Sequence, residues 1–170
     1  EIAVYIIVLY ICAKKLGENT IPIAFFFVSL SLLLMTSLRG VNITGHDIQT
    51  EYYVFQLTKN ANLWNMDFYR DAYNACLSIT ILPTVFFNLL KIPDPYVYKV
   101  LFQFFFALCS GVTYFVIRHW ADKRVSLLAA VYFFSFPTFF IDMPFLVRQE
   151  VAFLFYGLML YVIFEPALNL

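Results

Sequence analysis

The sequence predicts an all-α fold, a polytopic transmembrane helical bundle whose long outer loop carries interfacial helices. Of the 170 residues, 62% are hydrophobic and only 13% are charged, and the mean hydropathy is +0.79. A soluble domain is nearer half apolar and about a quarter charged, so it could not hide this much Phe, Ile and Leu from water. The apolar residues also fall into runs close to the ~20 residues that a membrane-crossing helix needs. A soluble globular protein is therefore excluded.

About five spans are predicted within a single membrane domain covering residues 1–170. The predicted spans are Ile2 to Ala13, Ile21 to Leu38, Tyr96 to Ile117, Val125 to Ile141 and Phe145 to Phe164. The first is short, and the chain begins at Glu1 without Met, so we expect a fragment of a longer protein. The fourth contains Pro137, which a spanning helix tolerates where a neighbouring helix satisfies the freed carbonyl.

A sixth apolar stretch, Leu77 to Leu90, is interrupted by polar residues and is predicted to lie at the membrane interface. The distribution of basic residues agrees with this topology. Lys14 and Lys15 follow the first span, and Arg118, Lys123 and Arg124 follow the third. These basic residues share the cytoplasmic side only if Leu77 to Leu90 does not cross.

The topology places residues 39–95 on the outer face as a loop too long for a simple connector, and long ordered loops tend to be functional. The middle of every predicted span lacks charged residues, and Lys99 lies close enough to an end to extend toward the head groups. Ionisable groups at membrane depth are usual in pumps and ion channels, so this layout favours work on an amphiphilic substrate instead. The 11 basic and 11 acidic residues cancel, which argues against a nucleic-acid partner.

The densest polar constellation surrounds Asp47 and Glu51. Thr44 with Asp47 three residues later resembles a capping box, so a helix is predicted to start here and run toward Lys59. Asp47 and Glu51 are four residues apart and share one face of that helix. One interpretation makes Asp47 a general base and Glu51 its modulator or an acceptor for a sugar hydroxyl. The alternative is that Asp47 merely caps the helix.

A second constellation, Arg148-Gln149-Glu150, lies at the outer end of the last span. Arg148 is suited to a phosphate oxygen and Gln149 to a sugar or phosphate. The alternative is that Arg148 and Glu150 cap the helix and extend to the head groups.

No cofactor is expected from the sequence. His46 and His119 are not at metal-ligand spacing, and a divalent cation held by Asp47 and Glu51 remains an open alternative. The sequence contains no nucleophile elbow, P-loop or dinucleotide-binding glycine motif.

The order of these parts resembles the N-terminal portion of the C-type (GT-C) glycosyltransferases. A span is followed by an outer loop with Gly-x-Asp-x-x-x-Glu-Tyr-Tyr, and then by the segment from Tyr73 to Pro83. A span ending in Arg118 and a Pro-containing span then lead to Arg148-Gln149-Glu150. Within that superfamily the chain is most similar to a poorly characterised, largely archaeal multi-pass family of unknown function.

The resemblance implies a cell-membrane enzyme that transfers a sugar, with inversion, from a polyprenyl-phosphate carrier to a glycan, lipid or protein acceptor at the outer face. Asp47 matches the catalytic base and Glu51 a second acidic position. Arg148 and Glu150 match, more loosely than Asp47 does, the loop region that lies over the carrier phosphate and the sugar. The chain departs from the family's adjacent Asp-Glu pair, since His46 precedes Asp47, and we count His46 among the expected substrate-binding residues. The alternative is a non-catalytic scaffold or a lipid-linked-sugar transporter of a glycan-assembly pathway.

Overall fold

The computed structural model describes Gly17 and residues 20–165, and within that part of the chain helices are the only regular secondary structure. This confirms the predicted all-α bundle. The helices are α1 Thr20–Ser37, α2 Asp47–Ala61, α3 Leu77–Leu90, α4 Asp94–Arg118, α5 Lys123–Ser135, α6 Thr138–Phe145 and α7 Val147–Phe164. Two single turns, Met66–Phe68 and Ala72–Ala75, lie between α2 and α3.

Three helices, α1, α4 and α7, are each long and apolar enough to cross a membrane. The pair α5 and α6 makes a fourth candidate if its two bent halves form one span. The described residues therefore contain three or four candidate spans, compared with the expected five. The first predicted span, Ile2 to Ala13, lies outside the described residues.

The bend between α5 and α6 measures 50° and occurs at Pro137. A proline ring restricts the residue before it to extended conformations, and Phe136 indeed has φ −64° and ψ 133°. The helix consequently ends at Ser135. The span predicted from Val125 to Ile141 is thus two helical pieces and not one continuous helix.

The bundle is organised around α4, which packs against α1, α5 and α7. Aromatic side chains fill the contact region: Phe25 of α1 meets both Tyr114 of α4 and Phe134 of α5. Gly157 brings α7 close to α4, because a Cβ at this position would lie 3.1 Å from Cγ1 of Val112. The apolar core therefore joins all the candidate spans.

Residues 39–95 form a packed cap on one end of this bundle. A second buried cluster joins α2 and α3 to α4 and α7, and includes Phe55, Ile79, Tyr98 and Val147. Helix α3 has 14 residues, fewer than a span needs, and it packs against α2. The cap is therefore an ordered platform, which is what holds polar residues in place above the apolar bundle.

Pro83 lies inside α3 and has no backbone N–H, so the carbonyl of Ile79 loses its usual helical donor. The hydroxyl of Tyr98 on α4 replaces that donor and donates to the Ile79 oxygen at 2.7 Å. Tyr98 is fully buried. The Tyr98 hydroxyl thus links the cap to the bundle by supplying the hydrogen bond that Pro83 cannot donate to the Ile79 carbonyl.

The two ends of the bundle differ in their charges. Helices α4 and α7 both begin at the capped end, and α1 finishes there, where the Ser37 hydroxyl donates to the Lys99 carbonyl at 2.7 Å. We call this end, residues 37–99 and 142–150, the site end. The opposite end carries Arg118, Lys123 and Arg124, and we call residues 118–124 the basic end. The polar residues around Asp47 and Arg148 therefore lie at the end of the bundle opposite the basic residues of the short loop.

Candidate functional site

Helix α2 begins two residues later than a capping box from Thr44 to Asp47 requires. The residue before its first turn is His46, whose side chain makes no capping hydrogen bond, so the predicted box between Thr44 and Asp47 is wrong. Gly45 is responsible for the different start, because its φ of +134° is rarely adopted by other residues. A Cβ there would also lie 2.9 Å from Ile48. Asp47 is consequently the first helical residue, where the helix dipole favours a carboxylate.

Arg148, the second residue of α7, lies between the two predicted acids. Its Nε donates to Oε1 of Glu51 at 2.9 Å, and its Nη2 lies 3.8 Å from Oδ2 of Asp47. The i, i+4 spacing on α2 is what lets both carboxylates face one guanidinium. Residues nearly a hundred positions apart are therefore brought together at the site end.

Glu51 is completely buried, and its carboxylate is fully engaged with the start of α7. Besides the bond from Nε of Arg148, it accepts the backbone N–H of Val147 at 3.0 Å and that of Arg148 at 3.4 Å. Burial raises the pKa of Glu51 above its ordinary value, and the bonds from Arg148 and Val147 act against that shift. Glu51 therefore holds Arg148 in place, and its predicted role in catalysis stays a prediction.

Tyr73, which is absent from the predicted site residues, completes the setting of Arg148. The guanidinium carbon lies 4.0 Å from the centroid of the Tyr73 ring, a cation–π arrangement. Burial raises the pKa of the Tyr73 phenol, and the nearby carboxylates of Asp47 and Glu51 act in the same direction, whereas Arg148 acts against it. Tyr73 thus packs against the guanidinium that lies between the two carboxylates.

Asn74 fixes the segment that carries Tyr73. Its buried side-chain amide donates to the carbonyls of Asn65 at 3.0 Å and Tyr69 at 2.9 Å. The indole N–H of Trp64 in turn donates to the Asn74 carbonyl at 2.9 Å. The sequence feature that could have indicated these two residues is the polar pair Tyr73-Asn74 directly before an apolar run. It does not predict which residues the pair contacts.

The remaining predicted site residues differ in accessibility. The side chain of His46 is fully exposed, with Nδ1 3.2 Å from Oδ1 of Asp47. Glu150 is fully buried, and its Oε2 accepts from Nε2 of Gln103 at 3.3 Å. Buried oxygens of Gln149, Glu150 and Gln103 have no hydrogen-bond partner within the described part of the chain. Of Arg148, Gln149 and Glu150, the structure brings Arg148 to Asp47 and places Glu150 inside the bundle.

The cluster has two carboxylates, Asp47 and Glu51, for the one guanidinium of Arg148. Glu51 already neutralises Arg148, so the guanidinium is not a free positive charge waiting for a phosphate. Asp47 has a different environment, because its side chain keeps 30% of its exposure and lies beside an Arg148 that keeps 27%. Asp47 is therefore the carboxylate that a ligand hydroxyl could reach, and it is chemically suited to accept a proton.

The geometry offers little to a metal ion. Among the described residues, no group of three or more His, Cys, Asp or Glu side chains is arranged to hold one. The three donors on the Glu51 carboxylate also occupy the oxygens that a cation shared with Asp47 would need.

Comparison with family models, with curated proteins and with solved structures finds no match for this chain. The resemblance to the GT-C enzymes consequently stays a prediction, and the arrangement of the residues themselves has to support any function.

Proposed function

We propose that the chain is part of a multi-pass cell-membrane glycosyltransferase that moves a sugar from a polyprenyl-phosphate carrier to an acceptor hydroxyl. The acceptor class is a glycan, lipid or protein. The single observation that carries the proposal is the position of Asp47. It is a partly exposed carboxylate, 3.8 Å from a fixed guanidinium, above three or four apolar helices.

The proposed orientation rests on the short loop between α4 and α5, which carries three basic residues within seven positions. Cytoplasmic loops of membrane proteins are enriched in Lys and Arg, so the basic end, with Arg118, Lys123 and Arg124, faces the cytoplasm. Asp47 and the cap then face outward, at the level of the lipid head groups. A carrier whose prenyl chain lies in the bilayer would present its phosphate and sugar at that level.

In the proposed reaction the acceptor oxygen attacks the anomeric carbon from the side opposite the phosphate. The new C–O bond forms as the bond to the carrier's phosphate oxygen breaks, which inverts the configuration at that carbon. The hydroxyl proton passes to Asp47, and the polyprenyl phosphate leaves as an anion. Arg148, whose Nη2 lies 3.8 Å from Oδ2 of Asp47, keeps a positive charge beside the carboxylate, and positioning of the reacting groups lowers the barrier.

Replacing Asp47 by Asn tests this function, because the amide keeps the shape but cannot take the proton. In membranes containing the full-length protein, Asp47→Asn is expected to reduce transfer from a prenyl-phosphate-linked sugar by about 100-fold or more. The matched control is Asp67→Asn, which neutralises an exposed acid of the same cap that pairs with Arg70. Normal transfer by a correctly folded Asp47→Asn protein would contradict the proposal.

A second candidate is a non-catalytic membrane protein, either a scaffold or a lipid-linked-sugar transporter. It is favoured by the buried Glu51–Arg148 pair, which joins α2 to α7 and would be present for structural reasons alone. In that case Asp47→Asn and Asp67→Asn would behave alike.

A further inference from the structure

Lys99 is a buried cation at the site end for which the described residues supply no carboxylate. The residue is only 5% exposed, and its ammonium donates to the carbonyl of Gly40. The ion pairs of the described residues leave Lys99 out, whereas Lys59, also partly buried, is paired with Asp94. A buried charge is costly unless it is paired. An ammonium has three donors, and the Gly40 carbonyl takes one of them.

A small cavity adjoins Lys99. Lys99 lines a small cavity of about 10 Å³ together with residues from the loop before α2 and from α6. The other lining residues are Ser37, Ile43, Thr44, Ile48, Pro144 and Phe145. The amino end of α2, which has no side-chain cap, reaches this cavity at Ile48. The acid of that helical turn, Asp47, faces Arg148 instead. The first turn of α2 and the Lys99 side chain therefore line the same cavity.

We propose that Lys99, with the amino end of α2, is an anion subsite that takes one oxygen of a lipid-borne phosphate. A cavity of this size holds about one water-sized group, so it accommodates a phosphate oxygen whose remaining atoms lie outside it. Arg148 is not available for this task because Glu51 neutralises it. Ile48 and Phe145 line the cavity and are near neighbours of Asp47 and Arg148 in sequence, so the subsite adjoins the candidate site.

This inference rests on the proposed function only for the identity of the phosphate. Two sources share the chemistry, the phosphate of a prenyl carrier and that of a membrane phospholipid. The anion subsite itself requires neither sugar transfer nor Asp47, so binding and transfer can be measured separately.

The test measures ligand-dependent thermal stability of the full-length protein in a phosphate-free maltoside detergent. The probes are a long-chain prenyl monophosphate, the prenyl alcohol of equal length, phosphatidylglycerol and inorganic phosphate. We expect the prenyl monophosphate to stabilise the protein and the alcohol not to. Lys99→Gln should weaken binding about 10- to 100-fold, the effect of losing one charged hydrogen bond. Lys99→Arg should keep most of the affinity for the prenyl monophosphate. Arg39→Gln should keep it too, because it removes only an exposed cation from the neighbouring loop.

Equal stabilisation by the prenyl phosphate and its alcohol in the wild-type protein would overturn the inference, whatever the variants do. Unchanged affinity in a folded Lys99→Gln protein would overturn it too. Equal binding of phosphatidylglycerol would support the subsite and assign it to membrane lipid, and binding of inorganic phosphate would support it without the lipid. Asp47→Asn should abolish transfer and leave this binding intact, so failure of the subsite and failure of the enzyme are distinguishable.

Discussion

The two ends of the bundle differ in how far particular charged side chains are withdrawn from water. At the basic end Arg124 is exposed and lies where basic residues define the orientation of a membrane protein. At the site end Glu51 is fully buried, Lys99 nearly so, and Arg148 keeps a quarter of its exposure. Charges withdrawn from water cost free energy unless partners compensate them. Glu51, Lys99 and Arg148 therefore need compensating partners that the exposed Arg124 does not need, either to fix a geometry for chemistry or to fix the docking of the cap.

The largest expected effect comes from removing the acid that holds Arg148. Glu51→Ala leaves a guanidinium that is only 27% exposed without its hydrogen-bonded carboxylate and leaves the N–H of Val147 unsatisfied. We expect a loss of about 3 kcal/mol in the free energy of unfolding, the lower part of the range for broken buried pairs because Arg148 is partly exposed. Denaturant unfolding of the purified protein in detergent, followed by circular dichroism, measures it.

The control is Asp67→Ala, which breaks the Arg70–Asp67 pair on the same cap. Both of those side chains are largely exposed, and exposed pairs contribute about 0–1 kcal/mol. If the two alanine variants lose similar stability, the Glu51–Arg148 pair is no more than a surface pair, and the contrast between the two ends disappears.

The fold class followed from composition and run length, since apolar residues in this proportion allow few alternatives to a helical bundle in lipid. The start of α2 near Asp47 was also predictable within a few residues from the glycine and the polar run before it. The bend at Pro137 was not predicted. Whether a helix continues through a proline depends on whether a neighbouring helix satisfies the freed carbonyl. That contact is a matter of tertiary packing, which residue spacing does not report.

The candidate site was predictable only in part, for the same reason. The i, i+4 spacing put Asp47 and Glu51 on one face, and the outer end of the last span offered Arg148. That Glu51 would be buried and engaged by Arg148, and that Tyr73 would lie under the guanidinium, are long-range contacts. No periodicity in one sequence encodes which of two neighbouring acids faces the core. Lys99 was expected to extend toward the head groups, and its burial against the Gly40 carbonyl depended on how the loop after α1 folds back.

A medium effect is expected where the cap is fastened to the bundle by Tyr98. Tyr98→Phe leaves the Ile79 carbonyl buried without its donor, which should cost about 1–2 kcal/mol in the free energy of unfolding. The matched control is Tyr156→Phe, because Tyr156 is more than half exposed on α7. In a Pro83→Ala background the helix regains the N–H that Pro83 lacks, so the cost of Tyr98→Phe should shrink. An equal cost in both backgrounds would show that the phenol does not serve the proline-freed carbonyl.

The smallest expected effect concerns an acid–base contact near the basic end, between His119 and Glu165. Nε2 of His119 lies 2.9 Å from Oε2 of Glu165, and that hydrogen bond raises the pKa of the His119 imidazole above its ordinary value. Since the folded pKa is raised, the stability from this contact is fully present below the unfolded pKa of about 6.5 and is lost as pH rises through the folded pKa.

The free energy of unfolding measured from pH 5.5 to 8.5 should therefore fall slightly with rising pH in the wild-type protein, by less than Tyr98→Phe costs. His119→Gln should remove that part of the slope, because Gln does not titrate, while leaving the Glu51–Arg148 pair untouched. A slope unchanged in His119→Gln would assign the pH dependence to the site end instead. The burial of Glu51 raises its pKa and gives a fall of the same sign at lower pH. The two ends would then differ in how deeply their charges are buried and in the pH window where each loses stability.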